Sequence, residues 1–144
     1  MVWLLRAMVS IHLVAIFGQP VFAGTFLSGD YNGLTLHEAG ANITTSIGYV
    51  QLIVSVVIWI RLRRAWPFVS TAVLVTAETV EYFAGMYGAL WLHFPLGVFT
   101  IVLLTVMFIA VWLRPLSPRP RRTRVDVRPN GVGPGIRTDE NTNE

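Results

Sequence analysis

Four apolar blocks, separated by short polar breaks, constrain this chain more than any other feature. They fall at residues 2–23, 36–60, 67–92 and 94–113. Each has about 20 residues or more, enough at about 1.5 Å per helical residue to cross a hydrocarbon layer of about 30 Å. Lipid offers a backbone no hydrogen-bond partners, so segments that cross it satisfy themselves as helices. The pattern predicts an all-α, integral membrane, antiparallel four-helix bundle over residues 1–113. With 53% hydrophobic and 13% charged residues, no composition is left for a second folded domain.

Arginine sets the expected orientation. There is no lysine, and Arg61, Arg63 and Arg64 fill the break between the second and third blocks. Arg114, Arg119, Arg121, Arg122 and Arg124 follow the fourth block, while the other two breaks carry no basic residue. The positive-inside rule then predicts cytoplasmic termini in a multi-pass cell-membrane protein, the bacterial inner membrane being the fitting location. The net charge of +3 is a topology signal, and nucleic acid is not an expected partner. Residues 114–144, rich in Pro, Gly and Arg and then polar, read as a disordered cytoplasmic tail whose basic part meets membrane lipid. Arg6, the apolar run after it and Val21-Phe22-Ala23 also fit a cleavable signal peptide. His12 and Gln19 suit a retained bundle helix better. The sequence Asn42-Ile43-Thr44 matches a glycosylation acceptor but lies inside a predicted span.

Several chemistries drop out. The chain has no cysteine, which excludes disulfides, zinc–thiolate sites and thiol redox chemistry. It has no Gly-rich phosphate loop, no HExxH and no GxSxG turn. Trp3, Trp66, Trp91 and Trp112 fall near predicted helix ends, as interfacial aromatic anchors do.

Two histidines open two apolar blocks at corresponding places. His37 stands in LHEAGAN at the start of the second, and His93 in LHFPLGV at the start of the fourth. Both helices are expected to run inward, so the two imidazoles share one depth near the outer surface. Small or polar side chains follow each at helical spacing: Ala41, Thr44, Gly48, Gln51 and Ser55 after His37, and Gly97 and Thr100 after His93. Two facing imidazoles flanked by thin walls at Ala41, Thr44, Gly97 and Thr100 are what a flat macrocycle with axial histidines needs. The same pattern also fits ordinary close packing of membrane helices, with the histidines bonded to water and headgroups. Pro95 is expected in the first turn of its helix, where a missing N–H costs nothing.

The order of these features resembles one half of haem A synthase, whose eight membrane helices form two similar four-helix halves. In each half one histidine opens the second helix and another opens the fourth. The likeness spans residues 8–113 and includes GQPVFAG near the end of the first block and YFAGMYGALWLH at the end of the third. It implies that His37 and His93 are axial ligands of one haem b, with electron transfer as its simplest use. The chain departs from the family in three ways: Leu34 stands where the family has a glutamate three residues before the histidine, the cysteine pair is absent, and so is the second four-helix half. Haem binding, rather than catalytic conversion of haem, is what the likeness supports. Tyr31, Asn32 and Thr35 are the polar groups near the site, since no basic residue is there to meet the propionates.

A second constellation lies deeper. His12, Gln51 and Glu78 are each about nine to eleven residues from a cytoplasmic helix end, near the bilayer midplane at about 1.5 Å per residue. Glu81 lies a turn further out. Ionisable groups at that depth face the bundle interior and pair. They form either a relay toward the outer site or a clamp that fixes helix faces. Three functions stay open: a haem-binding electron carrier with a redox partner, a cofactor-free accessory subunit of a membrane complex or homo-oligomer, and a proton-coupled carrier using His12, Glu78 and Glu81. An enzymatic role is not expected.

Overall fold

The structure is a computed structural model and describes residues 1–116. Four helices account for nearly all of them: α1 (Val2–Leu27), α2 (Asn32–Leu62), α3 (Trp66–Met86) and α4 (Leu90–Leu113). No strand occurs among the described residues. From residue 117 onward, the expected tail lies outside the described residues.

Each helix turns one narrow stripe inward. In α1 it is Leu5, Val9, His12 and Ile16; in α2, Thr44, Gly48, Gln51, Ser55 and Ile58. In α3 it is Pro67, Thr71, Leu74 and Glu78; in α4, Thr100, Leu104, Met107 and Val111. Steps alternating between three and four residues give the seam of a helical bundle. α1 packs on α2 and α4, and α3 packs on the same two neighbours.

In α2 the polarity of the stripe is inverted relative to a water-soluble protein. α2 buries Thr44, Gln51 and Ser55 while Ile53 and Ile60 stay 65% and 68% exposed. Large apolar side chains outside and small or polar ones between helices suit a bundle solvated by hydrocarbon. By length and composition α1, α2 and α4 are each able to cross a membrane. α3 has 21 residues and is less apolar, because Thr71, Thr76, Glu78, Thr79 and Glu81 dilute it.

The helix ends differ from the sequence expectation. α1 continues to Leu27 and α2 begins at Asn32, so the first connection is far shorter than the polar break suggests. Gly29 takes a positive φ of 99° there, and Asp30 Oδ1 accepts the N–H of Asn32 at 3.0 Å. The third block was expected to reach residue 92, but α3 stops at Met86 and Gly88 turns the chain with φ 68°. α4 therefore starts at Leu90, and Pro95 is the sixth residue of the helix rather than a first-turn residue. Its missing N–H leaves the carbonyl of Trp91 without an intrahelical partner.

The two ends of the bundle are built differently. Toward Arg6 the seam is apolar, formed by Leu5, Val9, Ile58, Leu74, Leu104, Met107 and Val111, with Leu116 packed against it. Arg6 Nε donates to the carbonyl of Val111 at 3.1 Å. Its guanidinium lies 5.2 Å from the Trp3 ring and 5.1 Å from the Trp112 ring. One cation thus ties the start of α1 to the end of α4, where it also meets the negative end of the helix dipole. Arg6→Met should lower stability by roughly 1–2 kcal/mol through the lost charged hydrogen bond and ring contacts. Thermal melting in detergent, followed by circular dichroism, checks this, and Arg6→Lys should recover only part of the loss.

Candidate functional site

The polar layer predicted at mid-depth is present and tightly joined. His12 and Gln51 are fully buried, and Glu78 is 5% exposed. His12 Nδ1 lies 3.2 Å from Gln51 Oε1, while the Gln51 amide nitrogen faces Thr71 Oγ1 at 3.5 Å and Met107 Sδ at 3.6 Å. The amide oxygen can only accept, so Nδ1–H donates to it. The other ring nitrogen, Nε2, is 2.9 Å from Glu78 Oε1. That is ion-pair range, although the pair does not reach hydrogen-bond alignment. Gly48 makes the meeting possible, because a Cβ there would stand 2.7 Å from Glu78 Oε2 and 3.3 Å from His12 Cε1. One imidazole on α1 thereby holds side chains from α2 and α3.

Toward the other end, the two doorway histidines come together. The rings of His37 and His93 are 5.9 Å apart between centroids and nearly perpendicular, at 88°. Each is oriented by the backbone of the preceding helix. His37 Nδ1 donates to the carbonyl of Gln19 at 3.1 Å, and His93 Nδ1 donates to the carbonyl of Glu81 at 3.0 Å. A carbonyl accepts only, so in the neutral imidazole both Nε2 atoms keep a free lone pair. Gly85 lies against the His93 ring, where a Cβ would come within 3.1 Å of Cε1. Sequence reasoning missed Gly85 and both carbonyls. A backbone acceptor leaves no trace in residue identity, and Gly85 reads as one small residue among several.

The small residues beneath the histidines divide in two. Ala41 and Thr44 line a cavity of about 40 Å³ together with Ile16, Gln19, His37, Thr45, Glu78, Glu81, Tyr82 and His93. Gly97 and Thr100 instead touch Glu81. Thr100 Oγ1 donates to Glu81 Oε2 at 3.0 Å, and a Cβ on Gly97 would stand 2.8 Å from Glu81 Oε1. Gly40 gives way in the same manner to the amide of Gln19. Gln19 and Glu81 thus occupy matching places in front of the two imidazoles. The Gln19 amide atoms, Thr44 Oγ1 and Glu78 Oε2 have no hydrogen-bond partner within the protein, so the cavity is lined with unspent polar capacity. A second concavity of about 250 Å³ adjoins it between α2 and α3, with Thr45 and Tyr82 lining both.

Two imidazoles on one iron at about 2 Å would put their ring centroids about 6 Å apart, close to the 5.9 Å seen between His37 and His93. Nδ1 held by a carbonyl is the usual outer support of a histidine ligand. Among the described residues no three His, Asp or Glu side chains converge on one point, and a haem iron asks for only two ligands. The space is tighter than the donor set. A cavity of about 40 Å³ takes one or two waters, so a macrocycle could enter only if the helices around the imidazoles parted.

Breaking the polar layer should be costly. Glu78→Leu removes one partner and leaves His12 Nε2 buried with no polar group beside it, at a cost on the order of 1–3 kcal/mol. Glu78→Gln should cost less, since an amide still offers hydrogen bonds to His12. Melting temperatures of both variants in mild detergent test the order, and wild-type melting of both would mean that the contact contributes nothing.

No protein-family model, curated protein or solved structure matches this chain.

Proposed function

We propose that the chain is an antiparallel membrane bundle of four spanning helices that binds one b-type haem between His37 and His93 and passes electrons through it. The reading places both termini and Arg61, Arg63 and Arg64 in the cytoplasm, with the histidine pair near the outer surface of a bacterial inner membrane. The observation that carries it is the pair itself: two imidazoles 5.9 Å apart between ring centroids, each with Nδ1 spent on a backbone carbonyl. Haem supplies reversible one-electron chemistry at iron. The residues of the chain orient the ligands, keep the site in low dielectric and fix its distance from the membrane surface. His12, Gln51 and Glu78 act as the clamp that keeps α1, α2 and α3 in register beneath the site.

A cofactor-free accessory role in a membrane complex is the second reading. It is favoured by one observation, the close filling of the space beside the imidazoles by Gln19 and Glu81. A proton-coupled carrier using His12, Glu78 and Glu81 ranks third, since four helices are few for a transporter.

Protein produced with ample haem and purified in mild detergent should show a Soret band and sharp low-spin bands after dithionite. His37→Ala or His93→Ala should give a high-spin or haem-free product, whereas His12→Ala should keep the spectrum. Gly97→Leu should also block loading, by pressing Glu81 toward the imidazoles. Wild-type protein without Soret absorbance would leave the accessory role as the better account.

Orientation has its own check. A cysteine introduced at Ser28 should react with an impermeant maleimide in whole cells, and one at Ala65 should not. Reversed labelling would put the histidine pair on the cytoplasmic side.

A further inference from the structure

The groove between α2 and α3 is lined by Asn42, Thr45, Ser46, Tyr49, Thr79, Tyr82 and Phe83 and encloses about 250 Å³. Its position is unusual for so many polar groups. Asn42 and Tyr49 lie about 15 and 26 Å along α2, a helix about 46 Å long, so the groove faces the middle of the hydrocarbon layer under the membrane reading. Polar side chains turned toward lipid at that depth are costly unless something satisfies them.

Their hydrogen bonds are only partly spent. The Tyr82 hydroxyl donates to Asn42 Oδ1 at 2.8 Å. The Thr79 hydroxyl donates to the carbonyl of Val75, so in the 3.1 Å contact between Tyr49 and Thr79 the tyrosine is the donor. Ser46 donates to the carbonyl of Asn42. What remains facing the groove is the Asn42 amide nitrogen as donor, with the oxygens of Tyr49, Tyr82 and Ser46 as acceptors. Aromatic faces of Tyr49, Tyr82 and Phe83 stand around them. None of the lining residues carries a formal charge at neutral pH, so a phospholipid phosphate has no counter-ion here. Projecting aromatic rings around a concavity also differ from the flat small-residue face on which a second copy's helix would pack. The volume is below the roughly 300–1,000 Å³ of pockets for drug-sized ligands, which suits one substituted ring.

We propose that this groove binds the ring of a membrane-dissolved quinone or quinol, with Asn42 donating to a ring carbonyl and the tyrosine oxygens accepting from a ring hydroxyl. Choosing a redox-active ring rests on the haem reading, because Tyr82 and Thr45 separate the groove from the imidazole cavity by a single layer of side chains. The isoprenoid tail leaves sideways into lipid, where the groove is open.

The test is calorimetric titration of a short-tailed benzoquinone into the haem-supplied full-length protein in lipid nanodiscs. Saturable binding of one quinone per chain is expected. Asn42→Leu and Tyr82→Phe should each weaken it at least tenfold while leaving the absorption spectrum and helix content unchanged. Binding should survive His37→Ala. Absence of saturable binding, or wild-type affinity in both groove variants, would overturn the proposal. So would conversion of a dimer to a monomer by Asn42→Leu with no quinone effect, which would make the groove an interface between copies. Haem absorbance without quinone binding sinks the groove site alone. Quinone binding without haem absorbance sinks the haem reading and leaves the groove site standing.

Discussion

His12 reaches Gln51 on α2 and Glu78 on α3 from a fully buried position on α1, and much of the remaining architecture is arranged around that contact. A bundle bathed in hydrocarbon gains little from burying apolar side chains, since lipid is as apolar as the interior. Register between helices must come from polar groups that have one place to go. The His12 cluster supplies that register, and Gly48 keeps the space it needs. Above it the interior turns polar around a cavity of about 40 Å³; below it the seam is mostly Leu, Val, Ile and Met, with Ser55 and Thr71 buried among them.

The same economy explains the histidine pair. His37 and His93 sit on different helices, yet each is oriented by a carbonyl of the helix before it. The relation extends further. Thr44 follows His37 by seven residues and Thr100 follows His93 by seven, and Gln19 and Glu81 face the two imidazoles from α1 and α3. The halves α1–α2 and α3–α4 are built on one plan, with a neutral amide in one and a carboxyl in the other. Whatever occupies the space between the rings meets a field that is not symmetric.

Much of this was legible in the sequence. Block length announced the helices, and the shared spacing of His37 and His93 announced their meeting. The depth of His12, Gln51 and Glu78 announced the polar layer. Three things were not legible. Helix ends depend on Gly29, Gly88 and Asp30, single residues in stretches whose polarity suggested longer loops. The acceptors for the imidazoles are backbone atoms, which no side-chain pattern reports. Gly97 and Thr100 looked like walls for a cofactor; they make room for and bond to a carboxyl group, because Glu81 projects into the space that small side chains leave.

Arg6, wedged between Trp3 and Trp112 and bonded to Val111, has a mechanical consequence. It fastens the first turn of α1 to the last turn of α4 at the end where the seam is dry and densely interlocked. Parting α1 from α4 at this end therefore breaks the Arg6 contacts and the apolar seam together.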